Sequence, residues 1–212
     1  MDSRELYDRY QLSIQFRNRL VGGCPKSKDM IKPWIEARTG HADEQTELQA
    51  EEAAAVLVAA EESCWTGFMS DADGIFIHTR NIKAMIKQCA SVLGICKQKI
   101  GSKQIFAEGS EVKAPDGTDR IHLGLREPTG SEERPIHVMT AKGPRNALKR
   151  VDFVERPRLN FEIWVLKTHP SEKRHVGKAD LDRILMFAQE NGLGADRSQG
   201  EGKFDVIEFA AI

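Results

Sequence analysis

Between a helical stretch over Lys178–Asn191 and an alternating stretch over Lys203–Phe209, the chain places Gly192, Gly194, Gly200 and Gly202. Glycine reaches positive φ without strain and allows two backbones to approach closely. Four of them within eleven residues predict a tight, non-repetitive connection from a helix into a strand. Backbone N–H groups in such a loop can face an anion. Arg197, Ser198 and Lys203 add charge and a hydroxyl to it. The order helix–loop–strand is the reverse of a phosphate-binding P-loop, and no Gly-Lys-Ser/Thr ending is present. It is equally the reverse of a dinucleotide fingerprint. A purely structural reading, in which the glycines only solve a tight path, stands beside the anion-binding one.

The rest of the chain alternates strand-like and helix-like patterns. Leu12, Ile14 and Phe16 share one face of an opening strand over Gln11–Phe16, and Leu159, Phe161, Ile163 and Val165 share one face of the clearest strand, with Trp164 on its other side. Helices are predicted over Met30–Arg38, Glu44–Glu62, Asn81–Leu93 (closed by Gly94) and Lys178–Asn191 (closed by Gly192). Asp71-Ala72-Asp73-Gly74 reads as a hairpin turn leading to a strand over Gly74–His78, because a calcium loop would need an acidic twelfth ligand and Ile82 stands there. The polar, turn-rich stretch 95–134 reads as a hairpin-like insertion with short strands near Lys103–Phe106 and Ile121–Leu125. Ile136–Met139 reads as a strand, and Thr140–Lys149, with Gly143-Pro144-Arg145, as a loop or turn. Mixed elements of this kind give an α+β fold, expected as one domain over 1–212.

Lys and Arg number 31 against 32 Asp and Glu, a net charge of −1. A dedicated duplex-binding protein carries a far stronger positive field, so any nucleic-acid contact has to be confined to a local groove. Cys24, Cys64, Cys89 and Cys96 form no C-x-x-C pair and fit neither a zinc ribbon nor a disulfide framework. They are expected to be reduced thiols. The charged opening residues and the lack of a long apolar run predict a cytoplasmic protein with no membrane partner.

The densest basic run undiluted by acids holds Lys142, Arg145, Lys149 and Arg150, where phosphates could be neutralised; a solvated charged connection is the plainer alternative. Lys83 and Lys87 lie one turn apart on the Asn81–Leu93 helix and extend the candidate patch. Trp34, Trp65, Trp164 and Phe68 are candidates for base stacking, or for core packing. None of the six histidines sits in a metal-ligand spacing, and no nucleophile motif is present. His78 and His137 are the histidines placed at strand ends, where an acid–base role could be built. No cofactor and no metal are expected.

The segment LGADRSQGEGKFDV after its helix resembles the glycine-rich loop of the RAMP superfamily, the ferredoxin-like or RRM-like proteins that form the RNA-binding backbone of CRISPR effector complexes. Gly194, Arg197, Ser198, Gly200, Gly202 and Phe204 sit where that pattern places them. DGIFIHTRNIKAMIKQCASVLG is similar to the family's strand–loop–helix segment, with Ala84 in place of a small glycine. RPIHVMTAKGPRNALKRVDFV resembles a stretch of uncharacterised phage and mobile-element proteins. The resemblance implies an antiparallel ferredoxin-like sheet with helices on one face and a large insertion. It implies a non-catalytic protein that binds single-stranded RNA or DNA, RNA in preference, and associates with like subunits. The nucleic-acid contacts would be Lys83, Lys142, Arg145, Lys149, Arg150, Gly194, Arg197, Ser198, Gly200, Gly202 and Lys203. Two alternatives stand beside it: a phage or mobile-element assembly factor without nucleic-acid contact, and a metal-independent ribonuclease using His78 or His137.

Overall fold

A computed structural model of the chain describes residues 3–26, 64–95, 110–140, 143–167 and 176–212. In chain order the described elements are β1 (Tyr7–Phe16), β2 (Arg19–Val21), β3 (Cys24–Pro25), β4 (Cys64–Gly67), β5 (Met69–Asp71), β6 (Gly74–His78), α1 (Thr79–Val92), β7 (Ser110–Lys113), β8 (Arg120–His122), β9 (Gly130–Thr140), β10 (Gly143–Glu155), β11 (Arg158–Leu166), α2 (Lys178–Asn191) and β12 (Phe204–Ala211). The helices expected at Met30–Arg38 and Glu44–Glu62, and the strand near Lys103–Phe106, lie outside the described residues. The chain divides into two compact units, one of Met1–Leu20, Ser70–Glu127 and Glu155–Ile212, the other of Val21–Met69 and Pro128–Val154.

The first unit is built on an antiparallel sheet of order β12-β1-β11-β7. Read along the chain its elements run β1-α1-β7-β11-α2-β12, the βαββαβ order of a ferredoxin-like domain. The two-residue period explains which way each strand faces. Leu12 stands opposite Phe161 and Ile14 opposite Leu159, so the apolar sets of both central strands fall on one face. Against that face pack Ile82, Met85, Ile86 and Cys89 of α1 and Leu181, Ile184, Leu185 and Ala188 of α2, all buried. Phe16 and Phe204 close one end of the layer with ring centroids 5.9 Å apart. Each of the Leu, Ile, Met and Phe side chains among them stabilises the fold by about 1.5–3 kcal/mol when fully buried. The opposite face is polar by the same parity, with Arg9, Gln11, Ser13 and Gln15 of β1 beside Trp164, Glu162, Asn160 and Arg158 of β11.

Both helix ends follow the expected chemistry. Gly94 follows α1 at φ +67°, and Gly192 closes α2 at φ +78°, conformations that favour glycine. A second, three-stranded sheet, β5-β6-β8, includes the Asp71–Gly74 hairpin turn, as the sequence predicts. The stretch 95–134 supplies β7 to the edge of the main sheet, β8 to the small one and the start of β9.

The second unit is organised by the β9–β10 hairpin, paired from Gly143 opposite Thr140 to Phe153 opposite Gly130. Lys149–Val151 of β10 run parallel to Cys64–Thr66 of β4, and β3 pairs with β4 antiparallel. The loop expected over Thr140–Lys149 is therefore corrected: residues 143–149 are strand, paired with β9. The local Gly-Pro pair signals a turn, but eleven cross-strand partners outweigh it, a tertiary override of local preference. Asp152, buried, accepts a hydrogen bond from Trp65 Nε1 at 2.8 Å and fixes that ring.

Candidate nucleic-acid interface

The glycine loop is pinned at its base. Leu193 N–H donates to the Gly202 carbonyl at 2.9 Å, and Gly202 N–H donates to the Arg19 carbonyl at 3.1 Å. A Cβ on Gly202 would lie 1.9 Å from the Leu193 carbonyl oxygen, so the two ends of the loop can approach this closely only with glycine there. Glu201, buried, holds Arg19 at 2.7 Å beneath the clasp. Above it, Asp196 at φ +54° turns the chain into a short 3₁₀ turn, Arg197–Gln199. The amides of Gly194, Ala195 and Ser198 take no part in the loop's internal hydrogen bonds among the described residues. So the base of the loop is structural, and its tip presents donors.

The tip faces α1 and the end of α2. Gln88, Glu190, Asn191, Gly194, Ala195, Asp196, Arg197 and Ser198 line a solvent-open cleft of about 610 Å³. Arg197 Nη1 donates to Gln88 Oε1 at 2.8 Å and so ties the loop to α1.

The charge around the loop is internally matched. Glu190 accepts from Arg17 at 2.5 Å and from Lys203 at 2.9 Å. Arg17 also reaches Asp205 at 2.8 Å. Hydrogen bonds from Arg17 and then Lys203 hold the Glu190 carboxyl below its ordinary range. The loop rim is therefore neither strongly basic nor strongly acidic.

The positive field comes from α1. Its sequence, TRNIKAMIKQCASV, contains no Asp or Glu. Arg80, Lys83 and Lys87, at i, i+3 and i+7, run along one flank of the helix, Arg80 exposed and Lys83 and Lys87 half-buried beside the packed face. These three span about 10 Å along the helix axis, and Gln88, where Arg197 docks, stands on a different side of the same helix. Burial lowers the Lys83 ammonium from its usual value, against a raising influence of Glu111.

Of the sequence-derived residues, the structure thus gathers Lys83, Gly194, Arg197, Ser198, Gly200, Gly202 and Lys203 into one unit. Lys149 and Arg150 belong to the other, where the Arg150 guanidinium lies 4.5 Å over the Trp65 ring and donates to Ser131 Oγ at 3.1 Å. Lys142, Trp34 and the side chains of Arg145 and His137 lie outside the described residues. Two stacking candidates are occupied. Phe68 is buried, and Trp164 is 8% exposed, flanked by Arg9 at 4.6 Å and Lys113 at 3.9 Å, with its Nε1 donating to Glu162. Glu162 lies below its ordinary carboxylate range: burial pushes it up, and hydrogen bonds from Arg9 and Trp164 outweigh that. Sequence reading missed Arg17, Arg80, Gln88 and Glu190. Arg80 was accessible from the helical wheel of α1, whereas Arg17 and Glu190 meet only through long-range pairing.

A separate constellation sits on the small sheet. Phe76 lies opposite His122, and His78 opposite Arg120, so all four share one face. His78 Nδ1 is 3.2 Å from Asp119, and His122 Nε2 is 3.0 Å from Asp71. Asp71, Asp73 and His122 bring potential metal-ligand atoms within 4.8 Å of one another. Arg120 already holds the second oxygen of Asp71 at 2.9 Å. The His122 hydrogen bond, followed by that from Arg120, lowers Asp71 to about 2 despite opposing burial.

No family model matches this sequence, and no curated relative matches it. Among solved structures, the chain is similar to a chain of a Type IV-B CRISPR complex, with a TM-score of 0.46 and 10% identity, over 95% of this chain and 90% of that one.

Proposed function

We propose that this chain is a non-catalytic subunit that holds the backbone of single-stranded nucleic acid, RNA in preference to DNA, and works alongside like subunits. The observation that carries the reading is α1, a helix with no Asp or Glu of its own that carries Arg80, Lys83 and Lys87 and is tied to the glycine loop through the Arg197–Gln88 bond. Phosphates contact side-chain cations and backbone N–H groups; α1 and Arg197 offer the cations and the glycine loop the N–H groups. Four cations on one strand make a weak site by themselves. Repetition of that site along a polymer raises the affinity without further contacts, which fits a net charge of −1. The test is fluorescence anisotropy of labelled single-stranded RNA and DNA over a salt series. Binding that falls with salt and drops for Lys83→Ala, Lys87→Ala, Arg197→Ala supports the reading; no binding at low salt moves it to a protein–protein assembly role.

A second reading, a metal-independent ribonuclease, is favoured by the pairing of His78 with Asp119 and of His122 with Asp71 around Phe76. Cleavage of RNA that is lost in His78→Ala supports it; an intact oligomer after long incubation with the wild type dismisses it.

A further inference from the structure

We infer that Glu190 occupies, with the chain's own carboxylate, the position a ligand phosphate takes at the glycine loop, and that the ligand binds by displacing it. This rests on the loop being a backbone-binding site. Glu190 is the residue that belongs to both halves of the arrangement. It lines the cleft with Gly194, Ala195 and Ser198, and it takes hydrogen bonds from Arg17 and Lys203. Those two cations come from different places, just after β1 and just before β12, and each takes one carboxylate oxygen. Arg17 and Lys203 are adjacent through their backbones as well, Arg17 N–H donating to the Lys203 carbonyl at 3.0 Å.

A carboxylate bridging two cations is, in charge and in hydrogen-bond acceptance, the nearest side-chain equivalent of a phosphodiester oxygen pair. Glu190 is exposed, on the last turn of α2, so its side chain can rotate into solvent without disturbing the core. Arg17 would keep Asp205 when Glu190 leaves, so the guanidinium stays aimed at the site. The internal anion makes the free loop electrically quiet and reserves it for ligands that bring several phosphates at once. Inorganic phosphate and a nucleic-acid backbone share the required chemistry, and the assay separates them.

The experiment measures binding of a fluorescein-labelled 12-mer polyuridine, and separately of inorganic phosphate by isothermal titration. The proteins are the wild-type full chain, Glu190→Gln, Arg17→Ala/Lys203→Ala, and the triple variant combining them, with Glu190→Ala as a second removal of the charge. Glu190→Gln is expected to bind the oligomer about three- to tenfold more tightly, the worth of two exposed ion pairs. That gain is expected to vanish in the Arg17→Ala/Lys203→Ala background. An unchanged or weaker Glu190→Gln, or a gain that persists without Arg17 and Lys203, overturns displacement and leaves Glu190 as a structural clasp. If no variant binds the oligomer but Glu190→Gln gains phosphate through Arg17 and Lys203, displacement holds for free phosphate and the backbone reading fails. Binding of neither probe by any variant overturns both.

Discussion

Gly202→Ala and Gly200→Ala test the pinned-loop account, because both residues have positive φ, +76° and +86°, but only one is crowded. At Gly200 no heavy atom lies within 4 Å of an added Cβ, so alanine suffers only the left-handed backbone cost, about 1 kcal/mol. At Gly202 the added carbon would lie 1.9 Å from the Leu193 carbonyl oxygen and 2.9 Å from its carbon. Relief requires the clasp to open, which sacrifices the Leu193–Gly202 and Gly202–Arg19 hydrogen bonds at about 1 kcal/mol each. With the backbone strain the total is about 3–4 kcal/mol, in the range that single substitutions reach only through a specific mechanism. Equilibrium urea denaturation of the full chain, followed by far-ultraviolet circular dichroism, reads both variants. Equal losses, or a loss below about 1 kcal/mol for Gly202→Ala, would refute the reasoning that the glycines at the loop base are there for close approach.

Three further outcomes follow from the same geometry. Asp152→Ala leaves the Trp65 indole N–H without its 2.8 Å acceptor, and a loss of about 1–3 kcal/mol is expected, seen in urea melts with a shifted tryptophan emission. The Asp71 carboxyl is held at about 2 in the fold, below its ordinary 3.8. Its stabilising effect is complete above about pH 4 and is lost as pH falls through about 2. The stability gap between wild type and Asp71→Asn, measured by urea midpoints, should therefore shrink between pH 4 and 2; a gap unchanged at pH 2 contradicts the pairing. Arg197→Lys loses the planar fork that reaches Gln88 and is expected to weaken oligomer binding nearly as much as Arg197→Ala, whereas wild-type binding by the lysine variant would mean that charge alone suffices there.

Much of this fold is written in local pattern. The alternation over 159–165 places Leu159, Phe161, Ile163 and Val165 on the buried face, and the helix over Lys178–Asn191 with its Gly192 terminus appears in the structure with the same bounds. These elements are legible because burial on one face imposes a period that no other element satisfies. The strand at Gly143–Glu155 is not legible, since Gly143-Pro144 imitates a turn and the strand is held by partners from β9 and β4. The candidate site divides the same way. Its glycines, Arg197 and Lys203 are contiguous and visible, and Lys83 follows from helical spacing. Gln88 joins them only through its bond to Arg197 across 109 positions, and Arg17 meets Glu190 only across 173. The grouping of Lys149 and Arg150 with the loop rested on charge density, which does not report which unit a residue folds into.

The most direct test of the central claim is the salt dependence of single-stranded RNA binding, wild type against Lys83→Ala/Lys87→Ala/Arg197→Ala. Contacts from Arg80, Lys83, Lys87 and Arg197 predict a log–log slope of about −3 for the wild type, at about 0.7 per phosphate on a single strand, and a fall to about −1 in the triple variant. Binding that is absent at low salt, or a slope that the three substitutions leave unchanged, would place the nucleic-acid contact elsewhere or nowhere on this chain.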